Sequence, residues 1–130
     1  MPLTTDEKFE IFNAVKDILK EQCPPMKVSK EKEGVYELMG NKPVPYGSKK
    51  VIVPGMYFSS VVTRKDMISF YFFPIYFHSS DFLGLIPDMQ KYLKGKTCFN
   101  FKKSGQVNPK EMRALLKKGV VAWKKLGYMV

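Results

Sequence analysis

The sequence has few of the side chains that hold metals or build covalent frameworks. It contains one histidine, His78, and two cysteines, Cys23 and Cys98, far apart and in no paired motif. A structural zinc centre takes four Cys, His or carboxylate ligands, so such a site made of Cys and His alone is excluded, and the one histidine and two cysteines lie far apart in the sequence. Two isolated thiols form no disulfide framework and fit a reducing compartment. No stretch offers the roughly 20 uninterrupted apolar residues that a membrane-spanning helix needs. The most apolar stretch is split by Arg64, Lys65 and Asp66 and bracketed by Pro54 and Pro74. Met1 to Thr5 leads into a polar helix start without the apolar core of a signal peptide. The expected location is cytoplasmic, with no membrane partner.

Acidic residues are also scarce, 12 against 22 Lys and Arg, which leaves a net charge of +10. The imbalance is uneven. Residues 1–40 net −2, and residues 41–130 net +12. A basic half of this kind attracts acidic or phosphate-bearing partners when it is not simply a soluble surface. What the chain does have is apolar material: of 130 residues, 45% are hydrophobic and 14% aromatic. That is enough to bury the core of one domain spanning residues 1–130.

The chain is organised around Gly55 to His78, which reads as a long β-hairpin. Aromatic and β-branched residues dominate it, as strands prefer. A turn centred on Arg64–Lys65 would set Val62 opposite Met67 and Phe58 opposite Tyr71. Alternation then gathers Tyr57, Ser59, Val61, Ile68, Phe70 and Phe72 on one face, and Met56, Phe58, Ser60, Ser69 and Tyr71 on the other. Arg-Lys is not the Asn-Gly of a tight primed turn, so a longer loop over Thr63 to Asp66 is expected.

Around the hairpin, Thr4 and Glu7 form a capping box that opens a helix from about Thr5 to Lys20. Phe9, Phe12, Val15, Ile18 and Leu19 make its apolar stripe. Met26 to Glu33 and Val35 to Met39 read as strands, Gly40 to Lys50 as a loop and Val51 to Val53 as an edge segment. Short helical turns follow near Asp81–Leu85 and over Pro87–Leu93, the second closed by Gly95. Lys96 to Lys102 reads as the last strand, with Cys98 in the core. Asn108, Pro109 and Glu111 start the final helix, whose apolar face is Met112, Leu115, Leu116, Val120 and Trp123. This order lacks regular βαβ alternation. It predicts an α+β domain: an antiparallel sheet with a long central hairpin, packed by an N-terminal and a C-terminal helix.

Gly55–Val61 (GMYFSSV), the aromatic run Ser69 to Tyr76, and Gly95–Phe99 (GKTCF) before a basic C-terminal helix resemble the YdhG-like domains. The resemblance implies a small bacterial α+β domain of a family mostly of unknown function. Some relatives are described as frataxin-like iron chaperones, which implies iron held by surface carboxylates. The helix acids Asp6, Glu7 and Glu10 would be the ligands here.

The remaining candidates come from the residues themselves. His78 precedes Ser79, Ser80 and Asp81, but members of a triad converge in space rather than in sequence, and no nucleophile elbow is present. Ligand sites combine apolar walls with a few placed polar groups, and Met56, Phe58, Ser60, Ser69 and Tyr71 fit that description, with Tyr57, Tyr76 and His78 at the mouth. The reading is therefore a non-enzymatic domain that binds a small ligand or a protein partner, or pairs as a homodimer, through an aromatic sheet face, without a cofactor. One alternative is the iron-binding chaperone. The other is phosphate or nucleic-acid binding through the basic C-terminal half, against which stands the separation of the aromatics in the hairpin from cations on the last helix and in loops.

Overall fold

A computed structural model describes residues 4–23, 26–46, 49–76, 79–95 and 97–129. Helix α1 (Thr5–Lys20) begins as the sequence predicts. The Glu7 N–H donates to the Thr4 hydroxyl, and the Thr4 N–H donates to the Glu7 carboxylate, each at 3.1 Å. Its buried stripe is Ile11, Phe12, Val15, Ile18 and Leu19. Phe9, expected in that stripe, is instead 65% exposed. The stripe drifts around the helix, so the first turns present Ile11 and Phe12 to the core and leave Phe9 over a cleft described below.

Strands β1 (Lys27–Lys32) and β2 (Val35–Met39) pair around Gly34, which sits at φ +76°. The stretch read as a loop contains a strand, β3 (Val44–Tyr46), paired with β4 (Val51–Val53). The two form a separate ribbon, so Val51–Val53 is not an edge of the main sheet. Pro45 signals a loop in sequence, but an edge strand tolerates its missing N–H.

The hairpin is β5 (Tyr57–Thr63) and β6 (Ile68–Phe72). Its register is shifted two residues from the expected one: Val62 faces Ser69 and Thr63 faces Ile68. The Arg64 N–H donates to the Met67 carbonyl at 2.8 Å and closes a loop over Arg64–Met67. A shift of two preserves the alternation of faces.

After a 3-10 turn at Phe73–Tyr76 come α2 (Ser79–Leu83), a second 3-10 turn at Met89–Tyr92, and strands β7 (Leu93–Lys94) and β8 (Cys98–Phe101). Gly95, expected to close a helix, lies at φ +67° between β7 and β8. There its conformational freedom serves a strand connection rather than a cap. Helix α3 (Pro109–Lys125) starts at Asn108, whose side chain accepts the Glu111 N–H at 3.1 Å.

The main sheet is antiparallel throughout, in the order β1-β2-β5-β6-β8-β7. With α1 and α3 it forms the expected α+β fold with the hairpin at its centre. Both long helices lie on one face. α1 packs on β5 and β6 and touches α3, while Gly119 of α3 rests against Phe58 and Phe72. Under the helices run Tyr36, Leu38, Val61, Ile68, Phe70, Phe72, Phe99 and Phe101, all buried. Outside this layer the Arg113 guanidinium forks onto the Glu21 carboxylate at 2.9 and 3.2 Å, joining the two helices at the surface. No helix among the described residues is long and apolar enough to cross a membrane.

Candidate functional site

One irregularity divides the residues that the sequence groups into a ligand face. Leu38 faces Ser59, but Met39 faces Tyr57, so Phe58 has no opposite residue on β2. This is a β-bulge, which puts two residues against one and re-aims the side chains beyond it. Its position is set by a close backbone approach at the strand ends. The Gly40 N–H donates to the Met56 carbonyl at 2.9 Å, and a Cβ on Gly55 would sit 2.2 Å from the Gly40 oxygen. Phe58 thereby turns under α3, with its ring 5.5 Å from Phe72 and 5.7 Å from Trp123. Met56 is buried too, its carbonyl 3.5 Å from the Trp123 indole nitrogen. The expected face therefore splits. Met56 and Phe58 belong to the core, while Ser60, Ser69 and Tyr71 stay together on the face without a helix.

That uncovered face is a ladder of polar groups. The hydroxyls of Tyr57 and Ser60 are 2.6 Å apart. Ser69 donates to the Asn100 side-chain oxygen at 2.9 Å, and the Cys98 thiol reaches the same oxygen at 3.4 Å. The Arg64 guanidinium donates to the Tyr71 hydroxyl and lies 5.8 Å from the ring centroid. On β2, Glu37 accepts from the Ser29 hydroxyl at 2.8 Å. Burial holds the Tyr57 phenol well above its usual range, with Glu37 adding to the effect.

At the hairpin-loop end this face hollows into a shallow trough of 410 Å³, whose walls include Arg64, Lys65, Ser69, Tyr71, Cys98 and Asn100. A second hollow of 310 Å³ shares Met67 and Asn100 with it and is walled by Lys91, Tyr92, Lys94, Lys102 and Gln106. Among the described residues, five cations thus border the two hollows, with Asp66 as the one carboxylate. Among the described residues, Lys65, Lys91, Lys94 and Lys102 have no carboxylate within 4.0 Å.

The other candidates fall elsewhere. Tyr76 is 55% exposed and stacks on Phe73 at 5.9 Å, and Phe73 in turn lies 5.9 Å from Tyr57. His78 lies outside the described residues. Cys98, expected in the core, is half-buried in the trough, because Phe99 and Phe101 take the helix side of β8 and leave Cys98 and Asn100 the opposite parity. Glu7 is committed to the Thr4 cap, which holds its carboxyl below the usual range. Among the described residues no three His, Cys, Asp or Glu side chains converge to hold a metal ion, so Asp6, Glu7 and Glu10 form no such set.

Sequence reasoning missed Asn100, Lys94, Lys102 and the Arg64–Tyr71 pair. Asn100 was legible as the polar residue between Phe99 and Phe101, but Arg64 becomes a neighbour of Tyr71 only once the register is known. A separate cleft of 470 Å³ opens between α1 and the β1–β2 connection, floored by Phe9 and Phe12 and edged by Lys8, Lys32 and Glu33. Beside it Lys16 pairs with Glu31 at 3.1 Å and lies 5.2 Å over the Tyr36 ring. The chain matches no family model, no curated protein and no solved structure with which it was compared.

Proposed function

We propose that the chain is a non-enzymatic binding domain whose ligand lies on the uncovered face of the main sheet, in a reducing, cytoplasmic setting. The observation behind this reading is the one-sided packing. Both long helices cover the aromatic face, and the opposite face carries hydroxyl, amide and guanidinium groups around a trough, with Tyr71 and Asn100 half-buried at its surface and Ser60 and Ser69 buried beneath their neighbours. Binding without chemistry is favoured by how the hydroxyls are spent. Ser60 meets Tyr57, Ser69 meets Asn100 and Tyr71 meets Arg64, and none of these partners is a general base near neutrality. The cationic rim disfavours stacking a second copy on this face, since like charges would meet. A ligand of opposite charge fits better than a homodimer. The resemblance of Gly55–Val61 and Gly95–Phe99 to YdhG-like domains adds no ligand to this reading.

Amide shift mapping by NMR against a library of small anions and metabolites tests the reading. Perturbations clustered on residues 57–62, 69–71 and 98–100, and weakened by Tyr71→Ala, are expected. Perturbations confined to the Phe9 cleft, or to α3, would remove it.

A further inference from the structure

The trough's charge and shape point to a class of ligand, an inference that rests on the binding-face reading above. We propose that single-stranded nucleic acid binds along the trough, its phosphates on Arg64, Lys65, Lys94 and Lys102 and a base against Tyr71 and Asn100. The sequence keeps aromatics and cations apart. The fold brings them together, because the hairpin loop carries Arg64 and Lys65 back over Tyr71, and β7 and β8 set Lys94 and Lys102 beside Asn100.

Shape selects against a small molecule. Sites for small ligands enclose most of the ligand's surface, whereas the trough is wide open to solvent and adjoins the second hollow at Met67 and Asn100. An extended polyanion gains from many shallow contacts, each releasing counterions. Chemistry selects the strand state. The Asn100 side-chain oxygen already accepts from Ser69 and Cys98, so its amide nitrogen is the group left to offer. The Gln106 oxygen is likewise taken, accepting the Lys102 and Lys103 N–H groups at 2.6 and 3.2 Å. Donors of this kind suit base carbonyl oxygens, and the Tyr71 ring beside them can stack only on a base face, which a duplex keeps within its stack and a single strand displays. Thymine and uracil carry two such oxygens and adenine none, so pyrimidine strands bind better than adenine strands.

The test uses labelled oligothymidylate and oligoadenylate of about ten nucleotides, a length within the range one sheet surface holds. Fluorescence anisotropy is followed from about 50 to about 200 mM salt. The expected logarithmic slope for oligothymidylate is near −3, from about 0.7 per phosphate neutralised by four cations. Lys94→Gln/Lys102→Gln should flatten that slope by about 1.4. Lys124→Gln/Lys125→Gln, on exposed α3 positions, should leave oligothymidylate affinity nearly unchanged. Cys98 provides a readout without mutation. Saturating oligothymidylate should slow maleimide labelling of Cys98, measured by peptide mass spectrometry, and spare Cys23, which lies at the end of α1. Equal loss in both lysine variants, unprotected Cys98, or equal affinity for a duplex or for inorganic polyphosphate would each overturn the proposal. If no oligonucleotide binds while library compounds still shift amides on this face, the nucleic-acid inference falls and the binding-face reading stands. If oligothymidylate protects Cys98 but nothing smaller binds, both stand.

Discussion

Gly119 of α3 lies directly on the ring of Phe72: a Cβ built at Gly119 would meet the Phe72 Cζ at 2.5 Å and the Phe58 Cε1 at 2.9 Å. Two effects compete when a methyl is added there. Alanine raises helix propensity by about 1 kcal/mol over glycine. Forcing a methyl into a packed core costs about 1–3 kcal/mol, and both rings are fully buried. Packing should win. Gly119→Ala is expected to lower unfolding free energy by about 1 kcal/mol or more in urea titration. A more stable variant would show that α3 can lift from the sheet without penalty.

Glu111 does a second job beyond starting α3. Its carboxylate accepts the Met89 N–H at 2.9 Å and the Asp88 N–H at 3.1 Å, holding the 3-10 turn onto the helix start. The residue is only 8% exposed and Met89 is fully buried, so truncation would strand the Met89 donor away from water and loosen the Asp88 N–H at the surface. Leaving a buried donor unsatisfied costs about 1–3 kcal/mol. Glu111→Ala should therefore cost about 2–3 kcal/mol, and Glu111→Gln, which keeps one acceptor oxygen, about 1 kcal/mol. Hydrogen exchange of the Asp88 and Met89 amides localises the effect. Unchanged protection in the alanine variant would mean that the turn is held by something else.

Phe9 and Phe12 separate two roles within one helix. Phe12 is 8% exposed and Phe9 65%. Phe12→Ala should cost about 3–5 kcal/mol through the lost burial and the cavity. Phe9→Ser should stay within about 0.5 kcal/mol, as surface changes do. Thermal and urea melts of both variants decide it. A large loss at Phe9 would mean that this ring is covered in solution.

Much of the fold is legible because its signals are local. Thr4 with Glu7, and Asn108 with Pro109 and Glu111, specify helix starts by hydrogen bonds that span three residues. Alternation along β8 separates Cys98 from Phe99 and Phe101 but does not say which parity faces the helices: the expectation of Cys98 in the core gives way to the two phenylalanines, which take that side. The candidate site is harder because it depends on pairing. The bulge at Phe58 arises from how β5 meets β2 where Gly40 and Gly55 approach, and nothing in Tyr57–Thr63 by itself announces an extra residue. One unpaired residue sends Phe58 to the core and leaves Ser60 on the open face, which breaks a face that strict alternation would keep whole. The Arg64–Tyr71 pair follows from the shifted hairpin register. Pro45 and Gly95 mislead in the opposite way, since each fits both a loop or cap and the strand setting that tertiary pairing chose.

Tyr36 sets a limit on alkaline stability. It is buried under α1, and its pKa is pushed up to about 12, first by burial and then by the neighbouring Cys23 and Glu31. The Cys23 thiol beside it is also pushed up by burial. Tyr57 is shifted in the same direction by burial. For a phenol the neutral form is the one the fold favours. A folded pKa above the unfolded value of 10.0 means that this stabilisation is complete below the unfolded value and is lost as pH rises through the folded one. Stability should hold to about pH 10 and then fall steeply towards about pH 12. In an ultraviolet absorbance titration, a fraction of the seven tyrosines should ionise only together with loss of circular dichroism. Tyr36→Phe removes one of these groups. It should move the alkaline midpoint upward while changing stability at neutral pH by no more than about 1 kcal/mol. An alkaline midpoint that does not move would show that Tyr36 titrates freely in the folded protein and that burial beneath α1 does not govern its ionisation.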